Sequence, residues 1–381
     1  MQTRSTRMPQ RIRKMFAAAL VCVMIVYYYL YVISSQLTVF LPAILVVGIA
    51  LSGIIVIDTF LVRKLTRGFV YYALAYVTIL GLSVCLQWPN IAWLIVTSTA
   101  LWVLSRREFV LVFFYASVVF YIAVVVMALL GYLPLVYVGF DGADSERYGM
   151  LKYSLGFDGP NQASLSFFPI LMSGMYLYGR RRFFAAIALL VSIIIGLVTG
   201  SRTGLCVDVL FVVVYWCVLR KEQKSKNKRS KILPYLFVLL FFVSCLTASS
   251  LANNDLANNV LSHRPAWITY YLDSSYTPSA VGSDEVYNKA EYQTPPVDNF
   301  PVYIYARYGV VGFILFAAVF WGGMRNMESK KMRLLFLFIM LYGLSEAFFD
   351  IAAKNIVLPM LIASLFQKEG VAYGEKYTLA R

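Results

Sequence analysis

Runs of about twenty apolar residues, repeated along most of the chain, restrict its fold more than any other feature. That is the length a helix needs to cross the hydrocarbon of a bilayer, about 20 residues. The runs fall at 15–33, 37–57, 69–86, 90–104, 110–131, 163–179, 183–199, 204–219, 232–249, 302–323, 334–350 and 352–367. They are solidly apolar, whereas the strands of a membrane barrel alternate. The expected fold is therefore all-α: a polytopic membrane helix bundle of about twelve spans. The last two runs are short and fit equally a helical hairpin that turns back within the membrane. Charged residues make up 14% of the 381, well below the roughly 25% of an ordinary soluble domain.

The first run follows Arg4, Arg7, Arg11, Arg13 and Lys14. A basic arm before an apolar run resembles a signal sequence. This run has full transmembrane length and many spans follow it, so it reads as an uncleaved first helix. The formal charge of +15 does not imply nucleic acid, because the positive residues sit in short clusters between spans. Those clusters are the basic arm, Arg63-Lys64 with Arg67, Arg106-Arg107, Arg180 to Arg182, Arg220 to Lys231, Arg325 with Lys330, Lys331 and Arg333, and the C-terminal tail. With twelve alternating spans all of them fall on one side, the cytoplasmic one, where they face anionic lipid headgroups. Both termini are then cytoplasmic. The five cysteines, Cys22, Cys85, Cys206, Cys217 and Cys245, all lie within apolar runs and form no CxxC pair. They give neither a disulfide framework nor a zinc signature.

The chain thus reads as one integral membrane domain. A cytoplasmic basic arm covers 1–14, nine spans cover 15–249, a large extracytoplasmic loop covers 250–301, three spans cover 302–367, and a cytoplasmic tail covers 368–381. The loop lies between the ninth and tenth spans. No internal repeat of fixed period is visible, and no pair of Gly/Pro-broken spans occupies corresponding halves, which is the usual pointer to a transporter with repeated halves.

Three outward segments hold residues that suit chemistry. Arg202, within Gly200-Ser201-Arg202-Thr203-Gly204, interrupts an apolar hairpin on the side that is poor in lysine. An arginine at that depth needs a partner or a task, although Ser201 and Thr203 are also ordinary caps and the arginine can snorkel. Arg264 lies just beyond a helix end, where a solvated charge is cheap. Position alone favours that plain reading, but two outward arginines can hold a diphosphate, since the planar guanidinium pairs with phosphate oxygens in two contacts. His263 is the only histidine, a residue type suited to a general base, but a lone loop histidine is more often incidental. Asp298 precedes the next span. It suits a partly desolvated base or an N-cap assisted by Asn299. The loop tyrosines Tyr270, Tyr271, Tyr276, Tyr287 and Tyr292 suit stacking on sugars or an interfacial belt. Glu346, Asp350 and Lys354, spaced by four, share one face if a helix runs through them. No phosphate-binding glycine loop, metal-ligand cluster or serine elbow is present.

Taken in order, these segments resemble the Wzy-type polymerases of bacterial surface polysaccharides, and more distantly the O-antigen ligases. Arg147, Leu155-Gly156-Phe157 and Pro160-Asn161 resemble the family's Arg, Leu-Gly-Phe and Pro-Asn segment. Ser201-Arg202-Thr203 is similar to its turn between two helices. Ser262-His263-Arg264 with Trp267 resembles the opening of its large loop, and Asp298-Asn299 with Tyr308-Gly309 resembles the entry to the following helix. The resemblance covers residues 145 to 360. The chain departs from it in lacking a Gly-x-Gly segment in the large loop. It has Asp298 where ligases commonly carry a histidine, which favours polymerase over ligase.

The resemblance implies a metal-independent, GT-C-like glycosyltransferase without cofactor, in a bacterial plasma membrane. Its substrate would be a polyprenyl-diphosphate-linked oligosaccharide, with membrane lipids around it and a flippase and chain-length regulators as partners. Arg202 and Arg264 would stabilise the diphosphate leaving group, and Asp298, ahead of His263, would take the acceptor's proton. Arg147, Asn161, Ser201, Thr203, Trp267 and Asn299 would bind substrate. The rivals are a ligase, a lipid-linked oligosaccharide flippase or other transporter, and a non-catalytic scaffold. The orientation has its own test in a background lacking the five native cysteines. A cysteine at Asp284 should react with a membrane-impermeant maleimide in intact cells, and one at Lys226 only after permeabilisation.

Overall fold

The computed structural model describes residues 8–33, 39–62, 67–86, 88–136, 152–221, 232–261, 263–272, 280–283, 297–327, 329–348 and 350–366. Those residues are mostly helical, with turns and irregular chain between the helices and one isolated antiparallel bridge between Val136 and Tyr153. Among them, seven helices are long and apolar enough to cross a membrane, and Phe69–Cys85 and Val357–Phe366 are shorter apolar helices. This is a multi-pass helical membrane protein. Large apolar side chains point outward along these helices, including Leu61, Val77, Leu197 and Leu246, as hydrocarbon rather than water requires.

The chain groups into two units, Met1–Ser225 with Asp350–Arg381, and Lys226–Phe349. The first contains α1 (Gln10–Ile33), α2 (Leu41–Val62), α3 (Arg67–Cys85), α4 (Pro89–Ser98), α5 (Arg106–Leu129), α6 (Pro160–Tyr178), α7 (Arg182–Thr199), α8 (Arg202–Lys221) and, from the chain's end, α14 (Val357–Phe366). In α1 the buried residues are Ala17, Leu20, Val21, Met24, Ile25, Tyr28, Tyr29 and Val32. Steps of three and four put them on one stripe, which packs on α2 and α5. The α1 start is tied by charge: Arg13 pairs with Asp58 of α2 and Lys14 with Glu108 of α5. Glu108 also closes a capping box with Ser105. Helix α6 is buried from Ala163 to Met175 and packs on α5, α7 and α8.

The Leu155-Gly156-Phe157 stretch of the sequence motif is a buried turn. Leu155 and Gly156 take φ of 55° and 90°, and a Cβ on Gly156 would come within 2.9 Å of the Val124 carbonyl. Phe157 then inserts its ring 5.2 Å from Tyr121 and 6.1 Å from Tyr29.

The second unit contains α9 (Leu236–Leu251), the short α10 (Asp255–Val260) and α11 (Arg264–Leu272), then α12 (Phe300–Arg325) and α13 (Lys330–Gly343). Helices α9, α11 and α12 share a core of Ala248, Ile268, Tyr271, Val297, Val302 and Ala306. Phe237 joins Phe300, Phe313 and Phe320 with ring separations of 5.0–5.4 Å.

Helix α12 is broken at Gly309, which takes φ 64° and ψ −166°, a backbone state open essentially to glycine alone. The amide freed by the break is used: Val311 N–H donates to the Ala280 carbonyl at 3.0 Å. The buried Arg307 donates to the Ser283 carbonyl at 3.2 Å. Gly282, at φ 91°, lies so close that an added Cβ would overlap the Arg307 carbonyl. Residues 280–283 are thereby pinned to the kink. Gly282→Ala combines a left-handed backbone with a steric clash and should cost about 2 kcal/mol or more. A lowered unfolding midpoint of the detergent-solubilised protein, followed by tryptophan fluorescence, checks this.

Candidate functional site

The site is built from the two ends of the large loop and the chain that follows α13. Asn258 shapes the loop's start. Its side-chain amide donates to the Ala252 carbonyl at 2.6 Å, its side-chain oxygen accepts from Ala266 N–H at 3.3 Å, and its backbone carbonyl accepts from His263 N–H at 2.7 Å. His263 bends the chain with φ 59° and Arg264 opens α11. At the loop's other end Asn299 caps α12: its Oδ1 accepts from Val302 N–H at 3.3 Å. Its Nδ2 donates to Ser244 Oγ of α9 at 3.0 Å and to the Leu344 carbonyl at 3.2 Å. Leu344 follows the end of α13, and Glu346 stands two residues further on.

These tethers bring three charges together. Arg264 Nε lies 3.8 Å from Asp298 Oδ2, and Arg264 Nη2 lies 3.6 Å from Glu346 Oε1. The Arg264 and Asp298 side chains are 22% and 29% exposed and Glu346 is 11% exposed. Both separations exceed the 2.7–3.2 Å of ordinary N–H···O hydrogen bonds. The guanidinium is charge-compensated, yet its buried Nε has no hydrogen-bond partner among the described residues. An arginine in this state can still give its planar donors to an oxyanion, and the carboxylates beside it can accept a proton.

The expected site residues separate into distinct roles. Arg264 and Asp298 meet. Asn299 is buried and acts as the cap and brace. His263 is exposed, and its ring faces Trp267 with centroids 6.4 Å apart. Among the loop tyrosines Tyr270 is exposed, while Tyr271 is 1% exposed and belongs to the core. Its apolar neighbours on α9 and α12 hold it away from any sugar. Tyr276, Tyr287 and Tyr292 lie outside the described residues, as does Arg147.

In the first unit, Gly200 ends α7 in the left-handed conformation at φ 64°. The Ser201 carbonyl accepts from Leu205 N–H at 2.9 Å, which starts α8. Arg202 is its first residue and is exposed, Ser201 is buried and Thr203 is half-buried. Asn161 is exposed in the first turn of α6. Its neighbour Gln162, which carries no expected role, is engaged instead: its Oε1 accepts from Lys354 Nζ at 2.6 Å. Lys354 is 2% exposed and lies 5.3 Å from the Tyr28 ring centroid. Tyr28 and Ser166 share a 2.6 Å hydrogen bond. Asp350, 1% exposed, accepts from Asn90 Nδ2 at 2.8 Å.

Glu346, Asp350 and Lys354 therefore do not share a helix face. Helix α13 ends at Gly343, α14 starts at Val357, and the charges between turn to Arg264, Asn90 and Gln162 respectively. A continuous helix would have aligned three charges on one face within an apolar run. The non-helical backbone lets them reach polar side chains on different elements. Asn90 and Gln162 were legible only as residues one and two places after Pro89 and Pro160, a proline at a helix start being the one signal available. Asn258 had no sequence signal beyond its place in a polar stretch.

The roles of Asn299 and Asp298 separate on stability. Asn299→Ala removes a cap and two buried hydrogen bonds and should cost about 2 kcal/mol or more. Asp298→Asn should stay within about 1 kcal/mol of wild type. Thermal unfolding of both variants checks the contrast.

Models of protein families, curated protein sequences and solved structures offer no match to this chain, so its own geometry and the sequence motifs carry any functional conclusion.

Proposed function

We propose that this protein is a membrane glycosyltransferase that polymerises polyprenyl-diphosphate-linked oligosaccharide repeat units at the outer face of a bacterial plasma membrane. One observation carries the reading. Arg264 and Asp298, from opposite ends of the large outer loop, lie 3.8 Å apart in a half-buried cluster that Glu346 completes. The motif residues named for leaving-group stabilisation and for proton acceptance are thus neighbours, although 34 positions separate them in sequence.

In the proposed step the acceptor sugar's hydroxyl oxygen attacks the anomeric carbon of the lipid-linked glycan. The bond from that carbon to the diphosphate oxygen breaks, and its electron pair leaves on the lipid diphosphate. The hydroxyl proton passes to the Asp298 carboxylate. Arg264 stabilises the charge that grows on the departing oxygen, where preorganised donors are worth most. A single displacement inverts the anomeric centre. From the sequence resemblance alone, Arg202 and Arg147 are proposed to bind phosphate and to add to this stabilisation.

A second reading, a lipid-linked oligosaccharide flippase, has one observation in its favour. Asp350 and Lys354 are buried at 1% and 2% exposure in the non-helical stretch before the short helix α14. Interrupted helices with buried charge are where transporters place substrate and ion sites.

Deleting the gene in its host and restoring it as wild type or variants separates the readings. A polymerase gives single repeat units in place of a ladder on deletion, and Arg264→Ala and Asp298→Asn should each reduce polymer at least about a hundredfold at normal protein level. Arg202→Lys, which keeps the charge but loses the fork, should shorten or remove the ladder. A flippase would leave no repeat units at the surface. An unchanged ladder in every variant would exclude the proposed chemistry.

A further inference from the structure

Glu346 belongs to no motif on which the functional reading was built, and its placement is unusual. It stands on the non-helical chain after α13, in a run otherwise apolar from Leu334 to Phe349 apart from small residues and Tyr342. A carboxylate at 11% side-chain exposure in such a run is costly unless its charge is answered. Arg264 answers it at 3.6 Å. The chain carrying Glu346 is held in place by Asn299, through the 3.2 Å bond to the Leu344 carbonyl. The same Asn299 fixes the helix start beside Asp298, so one buried amide sets the position of both carboxylates about Arg264.

The geometry points to a positioning role: Glu346 holds the Arg264 guanidinium in the orientation from which it meets an incoming diphosphate, and yields it when that anion binds. The inference rests on the glycosyltransferase reading and deepens it. Two features support the exchange. Nε and Nη2 lie on one edge of the guanidinium, and each faces a carboxylate oxygen beyond hydrogen-bond distance, at 3.8 and 3.6 Å. The side chain is thus aimed without having spent its donors on a bond that the substrate must break. The two carboxylates also stand where the oxygens of a diphosphate would, so that the incoming anion takes over contacts of the same kind.

The test uses full-length protein in membranes of the deletion strain, with lipid-linked repeat units extracted from that strain as the probe. Glu346→Gln keeps the shape and removes the charge that aims Arg264. It should lower kcat about a hundredfold, the loss typical of a misplaced catalytic group. KM should be unchanged or lower, because a charge opposing the diphosphate is gone. Glu346→Asp should recover at least a tenth of wild-type kcat. Wild-type kcat in Glu346→Gln would overturn the proposal. So would a raised KM at unchanged kcat, which would make Glu346 a substrate-binding group. Equal losses in Gln and Asp variants with a matching fall in unfolding midpoint would reduce Glu346 to a structural residue. If wild-type membranes formed no polymer from the probe, the glycosyltransferase reading itself would fall, and this inference with it.

Discussion

In the second unit a single buried amide does what several longer contacts would otherwise have to do. Asn299 has four hydrogen-bonding positions and uses three of them inside the protein: on the α12 amide it caps, on Ser244 of α9 and on the Leu344 carbonyl. Each bond is worth only about 1 kcal/mol net, but leaving a buried partner unmade costs more than making it gains. At 3% exposure an amide cannot fall back on water. The three segments it joins must therefore keep their relative places, and Arg264, Asp298 and Glu346 depend on those places.

The same economy of backbone groups explains the break in α12. A helix interrupted within an apolar layer frees amides and carbonyls that have no solvent to turn to. Here the residues around Gly309 turn to the loop segment 280–283 instead. The Tyr-Gly pair that looked like a family signature thus has a physical cause. Gly309 permits the kink, Tyr308 stacks against Phe316 with rings 25° from parallel, and the loop gains an anchor near its middle.

Charge is handled differently in the first unit. Arg13 with Asp58 and Lys14 with Glu108 tie helices together near the start of the chain. Asp350 and Lys354 are held more deeply, by the neutral side chains of Asn90 and Gln162 and the face of Tyr28. Asp208 is also buried, at 1% exposure, with its Oδ1 lacking a hydrogen-bond partner among the described residues. Polar side chains in such surroundings need partners with good geometry, because the low dielectric that strengthens a made contact also penalises a missing one.

How much of this was written in the linear chain depends on the range of the physics involved. Bilayer-length apolar runs, basic clusters and prolines at helix starts act locally or through the membrane, so the helical multi-pass class and most helix positions could be read directly. The stripe of α1 and the left-handed Gly200 that ends α7 are of that kind. The meeting of Arg264 with Asp298 and Glu346 is not, because it depends on a loop returning over more than thirty residues and on a helix that stops at Gly343. Spacing by four suggested that Glu346, Asp350 and Lys354 share a face. The helix instead stops at Gly343, and the irregular chain that follows turns Glu346 to Arg264, Asp350 to Asn90 and Lys354 to Gln162. Tertiary structure also gave Asn299 the cap and left Asp298 to the arginine, a choice that two adjacent Asx residues leave open until the chain around them has packed.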